Sequence, residues 1–490
     1  MNNKALAVLV FLALPLLSGP GSAREPAVAG KFYPSNPKEL ARRVDAWLSV
    51  PKDAGRPAGK VLAVISPHAG YDFSGRVAGM SYWFLDAGYD TVVILGTGHY
   101  APVRGAALLA SDDYSTPLGK VPTDRALAME LIKSSPLFKD DPAAHEKEHS
   151  IEVQLPFLQR RLKKPFKLLA ATLNTGNLAT AEAVGRALAA ALKGRKALIV
   201  MSSDFSHYPR KAVAAESDGA MKLAIESMAP ALVWTTAHYI LAKNIQNLVT
   251  CACGEAAIEA GMTAAKLLGA KSFTPLALSD SSSESGEAGP ESVVGYMSGV
   301  FTDAGKPADL VLSGAERQAL LKEARRTLER VFAGEPQPAG LDPDPRLDLP
   351  GSVFVTLKED GKLRGCVGTV EPDMTLVDAV RFAAFSAAFR DRRFGPLGKE
   401  ELGGVSIEVS VLSPLTPVKA RDIKPGKEGV VVAGNGHSGL FLPQVWKELP
   451  GKDAFMGELC SQKAGLPRDC WKQKGTELYS FTVDAFREKK

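Results

Sequence analysis

Lys60-Val61-Leu62-Ala63-Val64-Ile65-Ser66-Pro67-His68-Ala69-Gly70-Tyr71 decides the fold. Residues 61–65 are apolar without alternation, the pattern of a strand covered on both faces. Pro67 cannot donate to a ladder, so the strand ends before it, and Gly70 lets the backbone turn. His68 therefore follows the carboxyl end of a central strand, where open α/β sheets place their ligand sites. The pattern recurs twice. Residues 91–95 run into Gly96-Thr97-Gly98-His99, and residues 197–201 into Ser202-Ser203-Asp204-Phe205-Ser206-His207. One histidine after a strand is usually a hydrogen-bonded loop residue. Here three of the seven share one topological position and converge on one rim.

Around these loops, strand and helix patterns alternate. Asn36-Pro37 opens a helix, and residues 77–85, 179–192 and 254–268 are apolar at helical spacing. Thr123 is expected to cap a helix carrying Leu127 and Leu131. Ile151, Leu155, Leu158 and Leu162 form a helical stripe, with Ser150 as the expected N-cap and His149 just outside. Residues 166–172 and 273–278 read as strands, the second as the last long one, and residues 281–289 as a loop. The alternation predicts an α/β fold: a mostly parallel sheet with helices on both faces.

Beyond a Gly/Pro-containing linker the grammar changes. A helix at 315–332 and an irregular stretch at 335–350 lead to a hairpin turning at Asp360-Gly361. A helix at 377–388, an alternating strand at 405–412, a pairing of 430–433 with 440–442, and a strand at 478–483 complete a C-terminal α+β unit. The division is a leader over 1–23, a domain over 24–302, a linker over 303–309 and a second domain over 310–490.

The leader has basic Lys4, an apolar stretch over 5–17 and the small-residue site Gly21-Ser22-Ala23. This predicts export to the periplasm, with cleavage after Ala23. No other stretch is apolar enough to span a bilayer, so no stable span is expected after leader removal. A net charge of +5, with no basic run interleaved with aromatics, argues against a nucleic-acid partner. Five cysteines make no disulfide framework and leave at least one thiol unpaired; the pairing of Cys251, Cys460 and Cys470 stays open.

Cys253-Gly254-Glu255 precedes the alanine-rich helix, whose N-terminus is expected to favour a thiolate. Two imidazoles plus one anionic ligand make a three-ligand site with open positions, suited to Fe(II), Zn(II) or copper. Asp204 and His207 are three apart and meet if their loop makes a helical turn.

The motifs Pro67-His68-Ala69-Gly70-Tyr71, Leu95-Gly96-x-x-His99, Glu148-His149-Ser150-Ile151-Glu152, Ser202-Ser203-Asp204-Phe205-x-His207 and Cys253-Gly254 resemble the Memo family, over residues 24 to about 302. That family's fold is similar to class III extradiol ring-cleaving dioxygenases, which use non-haem Fe(II). The resemblance implies His68, His99 and Cys253 as metal ligands, with Asp204 and His207 lining the site. His207, Asp204, His149 and Tyr71 become the catalytic candidates. Tyr100 stands where many members carry a second histidine.

Residues 310–490 resemble an AMMECR-type domain through Leu363-Arg364-Gly365-Cys366-Val367-Gly368, Phe389-Arg390-Asp391-Arg392-Arg393-Phe394 and Phe441-Leu442-Pro443-Gln444-Val445-Trp446. The two families occur together with a radical-SAM protein as the AmmeMemoRadiSam system, which implies a radical-SAM partner. The leading expectation is an iron-dependent, dioxygenase-like oxidoreductase acting on a small molecule or peptide in the cleft. The alternatives are a non-catalytic metal- or peptide-binding module and a zinc-dependent hydrolase. Cys366 is open as a nucleophile or a packed hairpin residue.

Overall fold

The computed structural model describes residues 23–86, 88–286, 289–305, 312–336 and 344–488. The leader up to residue 22, most of the 303–309 linker and part of the 335–350 stretch lie outside them.

The N-terminal unit is built on an eight-stranded sheet: β1 Val61–Ser66, β2 Thr91–Thr97, β3 Ala106–Leu108, β4 Phe138–Asp140, β5 Lys167–Leu173, β6 Ala197–Ser202, β7 Ser272–Asp280 and β8 Gly295–Thr302. Their order is β7-β8-β1-β6-β2-β5-β3-β4. The central strands β1, β6, β2 and β5 are parallel. Alternate residues feed two cores. Ala63, Ile65, Val93, Leu95, Ile199 and Met201 face one. Val64, Val92, Ile94, Leu198 and Val200 face the other. Each fully buried Ile or Leu contributes about 1.5–3 kcal/mol, so burial on both faces stabilises this sheet strongly. Helices Leu178–Leu192 and Glu255–Leu267 cover the first face; Pro37–Trp47, Tyr71–Met80 and Leu155–Arg161 cover the second.

Strand β8 was not expected from the sequence. It runs antiparallel between β7 and β1 and is buried throughout. Gly299 faces the Phe273 ring on β7, which leaves no room for a Cβ. Three local expectations are also corrected. Asp124, not Thr123, caps the helix Arg125–Ser134, accepting from Leu127 N. Residues 151–162 do not form one helix capped by Ser150: a 3₁₀ turn Glu152–Gln154 precedes the helix Leu155–Arg161. Residues 281–289 include a short helix, Ser281–Ser285, capped by Asp280.

The C-terminal unit opens on the helix Gly314–Ala333, closed at its start by a Ser313/Glu316 capping box. Its strands are β9 Ser352–Glu359, β10 Lys362–Gly368, β11 Val405–Leu412, β12 Thr416–Pro417, β13 Gly429–Gly434, β14 His437–Phe441, β15 Glu477–Phe481 and β16 Val483–Arg487. They form two antiparallel sheets, β10-β9-β11-β16 and β12-β15-β13-β14. The hairpins turn at Asp360-Gly361 and Asn435-Gly436, all four residues at positive φ. The expected final strand is two strands, one in each sheet.

Cys460 and Cys470 form a disulfide buried among Trp446, Phe455 and Met456. Replacing both by serine is expected to destabilise this unit by about 2–3 kcal/mol, from the short loop the bond closes. Denaturant unfolding of the double variant checks this; an unchanged midpoint contradicts it. Among the described residues, no helix is long and apolar enough to cross a membrane.

Candidate metal centre

His68 leaves β1 and its ring is fixed by a chain of buried polar groups. The Tyr82 hydroxyl donates to Gln154 Oε1 at 2.6 Å, which turns Gln154 Nε2 toward Pro67 O (2.9 Å) and Ser202 Oγ (2.8 Å). The single Ser202 hydroxyl proton goes to Ser150 O at 2.6 Å. Ser202 Oγ can then only accept from His68 Nδ1, 3.0 Å away. This network assigns the proton to Nδ1 and leaves Nε2 with its lone pair free. Cys253 Sγ lies 3.1 Å from that Nε2.

His99 is fixed by Glu148. The His99 backbone N–H donates to Glu148 Oε2 at 2.8 Å, and its ring Nδ1 donates to Oε1 at 2.9 Å. Ser150 N donates to Oε1 as well. Burial pushes the Glu148 carboxyl up, but the His99 and Ser150 donors outweigh it and hold the group down at about 2. An ionised carboxylate behind an imidazole fixes its tautomer and makes it a better ligand. His149 stacks on His99 at 4.5 Å between ring centres. Its Nδ1 is 3.6 Å from Glu148 Oε1, too far for a hydrogen bond, and is buried with no partner among the described residues. His68 stands perpendicular to both rings, at 5.2 and 5.4 Å. One ring nitrogen from each of the three lies within 4.8 Å of the others. Three nitrogens, one left without a partner, and a nearby sulfur are a donor set that fits a transition metal.

Burial lowers the pKa of His68, His149 and His207. His68 sits well below the ordinary value, helped by repulsion from His149 and His99. His149 and His207 are lowered to about 4, each by burial and then by the charge on His99. They are neutral at pH 7, the form that binds metal.

Cys253 departs from expectation. Enclosure by protein atoms, and then the charge of Asp204, push its thiol up rather than down. The helix begins at Glu255, after an N-cap at Gly254, so Cys253 lies outside the first turn. The Gly254 N–H is taken by Ser203 Oγ at 2.9 Å. Burial therefore outweighs the thiolate-favouring effect that the sequence suggests for this helix N-terminus.

The Asp204–His207 pair does not form. Asp204 Oδ1 accepts from the backbone N–H groups of His68 (2.7 Å) and Ala69 (3.3 Å). Burial raises this carboxyl to about 7, with those bonds opposing. The loop makes no helical turn; His207 instead bridges Val294 in extended form. His207 Nδ1 is buried without a partner among the described residues. Tyr71 is also not brought to the cluster: its hydroxyl donates to Val153 O at 2.7 Å, among the rings of Tyr33, Trp47 and Phe157. Exposed Tyr100 borders the cluster, edge-on to His99 and His149.

Sequence alone gives no role to the positioning residues Ser202, Gln154 and Glu148, and it suggests a helix N-cap for Ser150. The available signal was adjacency, since Glu148 and Ser150 flank His149 and Ser202 ends a site strand. In the C-terminal unit, Arg393 grips Asp391, and Asp391 accepts from Cys366 N at 2.9 Å. Thr356 Oγ1 donates to Cys366 Sγ at 3.3 Å.

A family model described as Memo-like protein matches residues 24–300. The chain belongs to the Memo-like family. A second model, AMMECR1, matches residues 321–486, so a Memo-like domain is fused here to an AMMECR1 domain. A MEMO1 family protein of Nitrosopumilus maritimus is 34% identical over 277 residues, 56% of this chain and 97% of that protein. One from Pyrobaculum aerophilum is 36% identical over 290 residues, 57% and 98% of the two chains. A solved protein of Pyrococcus horikoshii is 38% identical, spanning 35% of this chain and 90% of its own, with a TM-score of 0.33.

The histidine shifts fix a pH dependence for the metal-free Memo-like domain. His145, His149 and His207 sit at about 4 folded, against about 6.5 unfolded. Between pH 6.5 and 4 the unfolded chain binds more protons, so stability falls as pH falls. For fully buried His145 this amounts to about 3 kcal/mol. Asp204 and Asp218, raised to about 7, act the other way, since the folded state binds their protons first. Asp204→Asn is therefore expected to steepen the acid loss. Melting curves from pH 7 to 4.5 check this, and a flatter profile in the variant contradicts it.

Proposed function

We propose that the Memo-like domain is a mononuclear metal enzyme, Fe(II) being the favoured ion, with redox or dioxygenase-like chemistry on a small molecule or peptide at the rim. The observation that carries this is the convergence of three imidazoles, with His68 and His99 oriented from behind by Ser202 and Glu148. His68, His99 and Cys253 hold the ion in this reading, the sulfur being 3.1 Å from His68 Nε2. Fe(II) there would supply a redox-active ion with open positions. Glu148 orients His99, and Ser202 orients His68. His149 and His207, neutral at pH 7 and each with a free ring nitrogen, accept protons beside the bound ligand.

A second reading, a three-histidine Zn(II) centre, is favoured by His149 lying within the same 4.8 Å group. Cys253→Ser and His149→Ala separate the two. The first reading expects Cys253→Ser to strip iron while His149→Ala retains it and loses turnover of dioxygen. The opposite pattern moves His149 into the ligand set.

Export to the periplasm is part of the proposal. It is supported by the leader pattern and by the Cys460–Cys470 disulfide, a bond that persists in oxidising compartments. An intact Met1 in protein recovered from the periplasm of an expression host would refute cleavage after Ala23. A radical-SAM partner, implied by the pairing of the two families, is tested by co-purification.

A further inference from the structure

Residues 24–33 form an arm that makes no hydrogen bond to the three imidazoles among the described residues, yet it fastens the segment that carries or orients them. Arg24 pairs with Tyr114 in a short parallel strand, and its side chain is 6% exposed. Its Nε donates to His145 O at 2.6 Å. One terminal nitrogen donates to Glu148 O at 2.7 Å and the other to Glu152 Oε2 at 2.7 Å. The fully buried Glu152 carboxylate also accepts from Ala27 N, Val28 N and the Tyr33 hydroxyl. Among the described residues, every hydrogen-bond partner of that carboxylate comes from the arm. Phe32, on the same arm, packs its ring 4.9 Å from His149.

The opposite edge of the same segment carries the site. The Glu148 side chain holds His99, His149 belongs to the cluster, and Ser150 O receives the Ser202 hydroxyl that sets His68. Residues 147–151 have no helix or strand of their own. Local turn bonds hold them in part, Glu148 N to His145 O and Ser150 N to Glu148 Oε1. The fork of Arg24 adds an anchor from outside, because it ties the carbonyls of His145 and Glu148 to the Glu152 carboxylate through one guanidinium.

We propose that Arg24 is a positioning residue for the metal centre, acting through the 145–152 segment. The inference rests on the reading that the His68, His99 and Cys253 group binds metal. Its test uses Co(II) alone, added to the full chain, with binding followed by visible absorption. Wild type, Arg24→Ala, Arg24→Lys and a control on exposed Lys31 (Lys31→Ala) are compared.

Arg24→Ala should weaken Co(II) binding roughly 10–100-fold, the range for losing an outer-sphere partner, and alter the ligand-field bands. Guanidinium ion at millimolar concentration should restore part of both. Arg24→Lys should fall between, since one ammonium cannot reach three spread acceptors. Lys31→Ala should match wild type. A folded Arg24→Ala with wild-type affinity and spectrum overturns the proposal. If that variant does not fold, Arg24→Lys is read by the same criterion. A wild-type chain that binds no Co(II) overturns the metal reading, and this one with it.

Discussion

His68→Ala is expected to lower metal affinity at least a hundredfold, beyond the roughly 10–100-fold cost of losing an outer-sphere partner. The position explains the size. His68 is the one imidazole with both a neighbouring sulfur and both other rings around it. His68 is 2% exposed, so water cannot simply take its place from the surface. The fold should survive, because the network behind it does not need the ring. Ser202 still donates to Ser150 O and still accepts from Gln154 Nε2. Equilibrium dialysis with Fe(II), alongside circular dichroism, measures both quantities. Full metal retention in a folded variant would remove His68 from the site.

The second large effect is on stability. Glu152→Ala is expected to cost about 3–5 kcal/mol, the range for breaking a buried charge pair on one side. The loss leaves the Arg24 guanidinium enclosed without its carboxylate, at 6% exposure. It also orphans Ala27 N, Val28 N and the Tyr33 hydroxyl together. In a domain of this size that should lower the melting temperature by roughly 10 °C. Arg24→Ala should cost less, because Glu152 keeps its three neutral donors. Differential scanning calorimetry of the two variants decides the order; a milder Glu152→Ala contradicts it.

What was legible in the sequence follows from how local each cause is. Strand β1 and His68 could be read because an unbroken apolar run meets a proline within one short stretch. The C-terminal hairpin could be read because Asp360-Gly361 carries its own turn conformation. Strand β8 could not. Gly295, Ser298 and Gly299 interrupt its apolar pattern, and the groups that cover it come from elsewhere: the Phe273 ring lies against Gly299, and Asp218 against Gly295. Ser150 looks like an N-cap, yet its hydroxyl donates to Thr97 O on β2. Asp204 looks like a partner for His207, yet it turns to the loop after a neighbouring strand, where two N–H groups await it. In each case a contact far away in sequence outcompeted a plausible near one. The ring-bearing positions were readable; the groups that aim the rings were not.

The account's central claim is that one ion is held by nitrogen from His68 and His99 and sulfur from Cys253. X-ray absorption on the full-length chain, purified without oxygen and loaded with Fe(II), tests it most directly. The account predicts one iron per chain, with one sulfur among otherwise nitrogen and oxygen neighbours, and loss of that sulfur signal in Cys253→Ser. A sulfur-free shell in the wild type, or no bound metal at all, would contradict it.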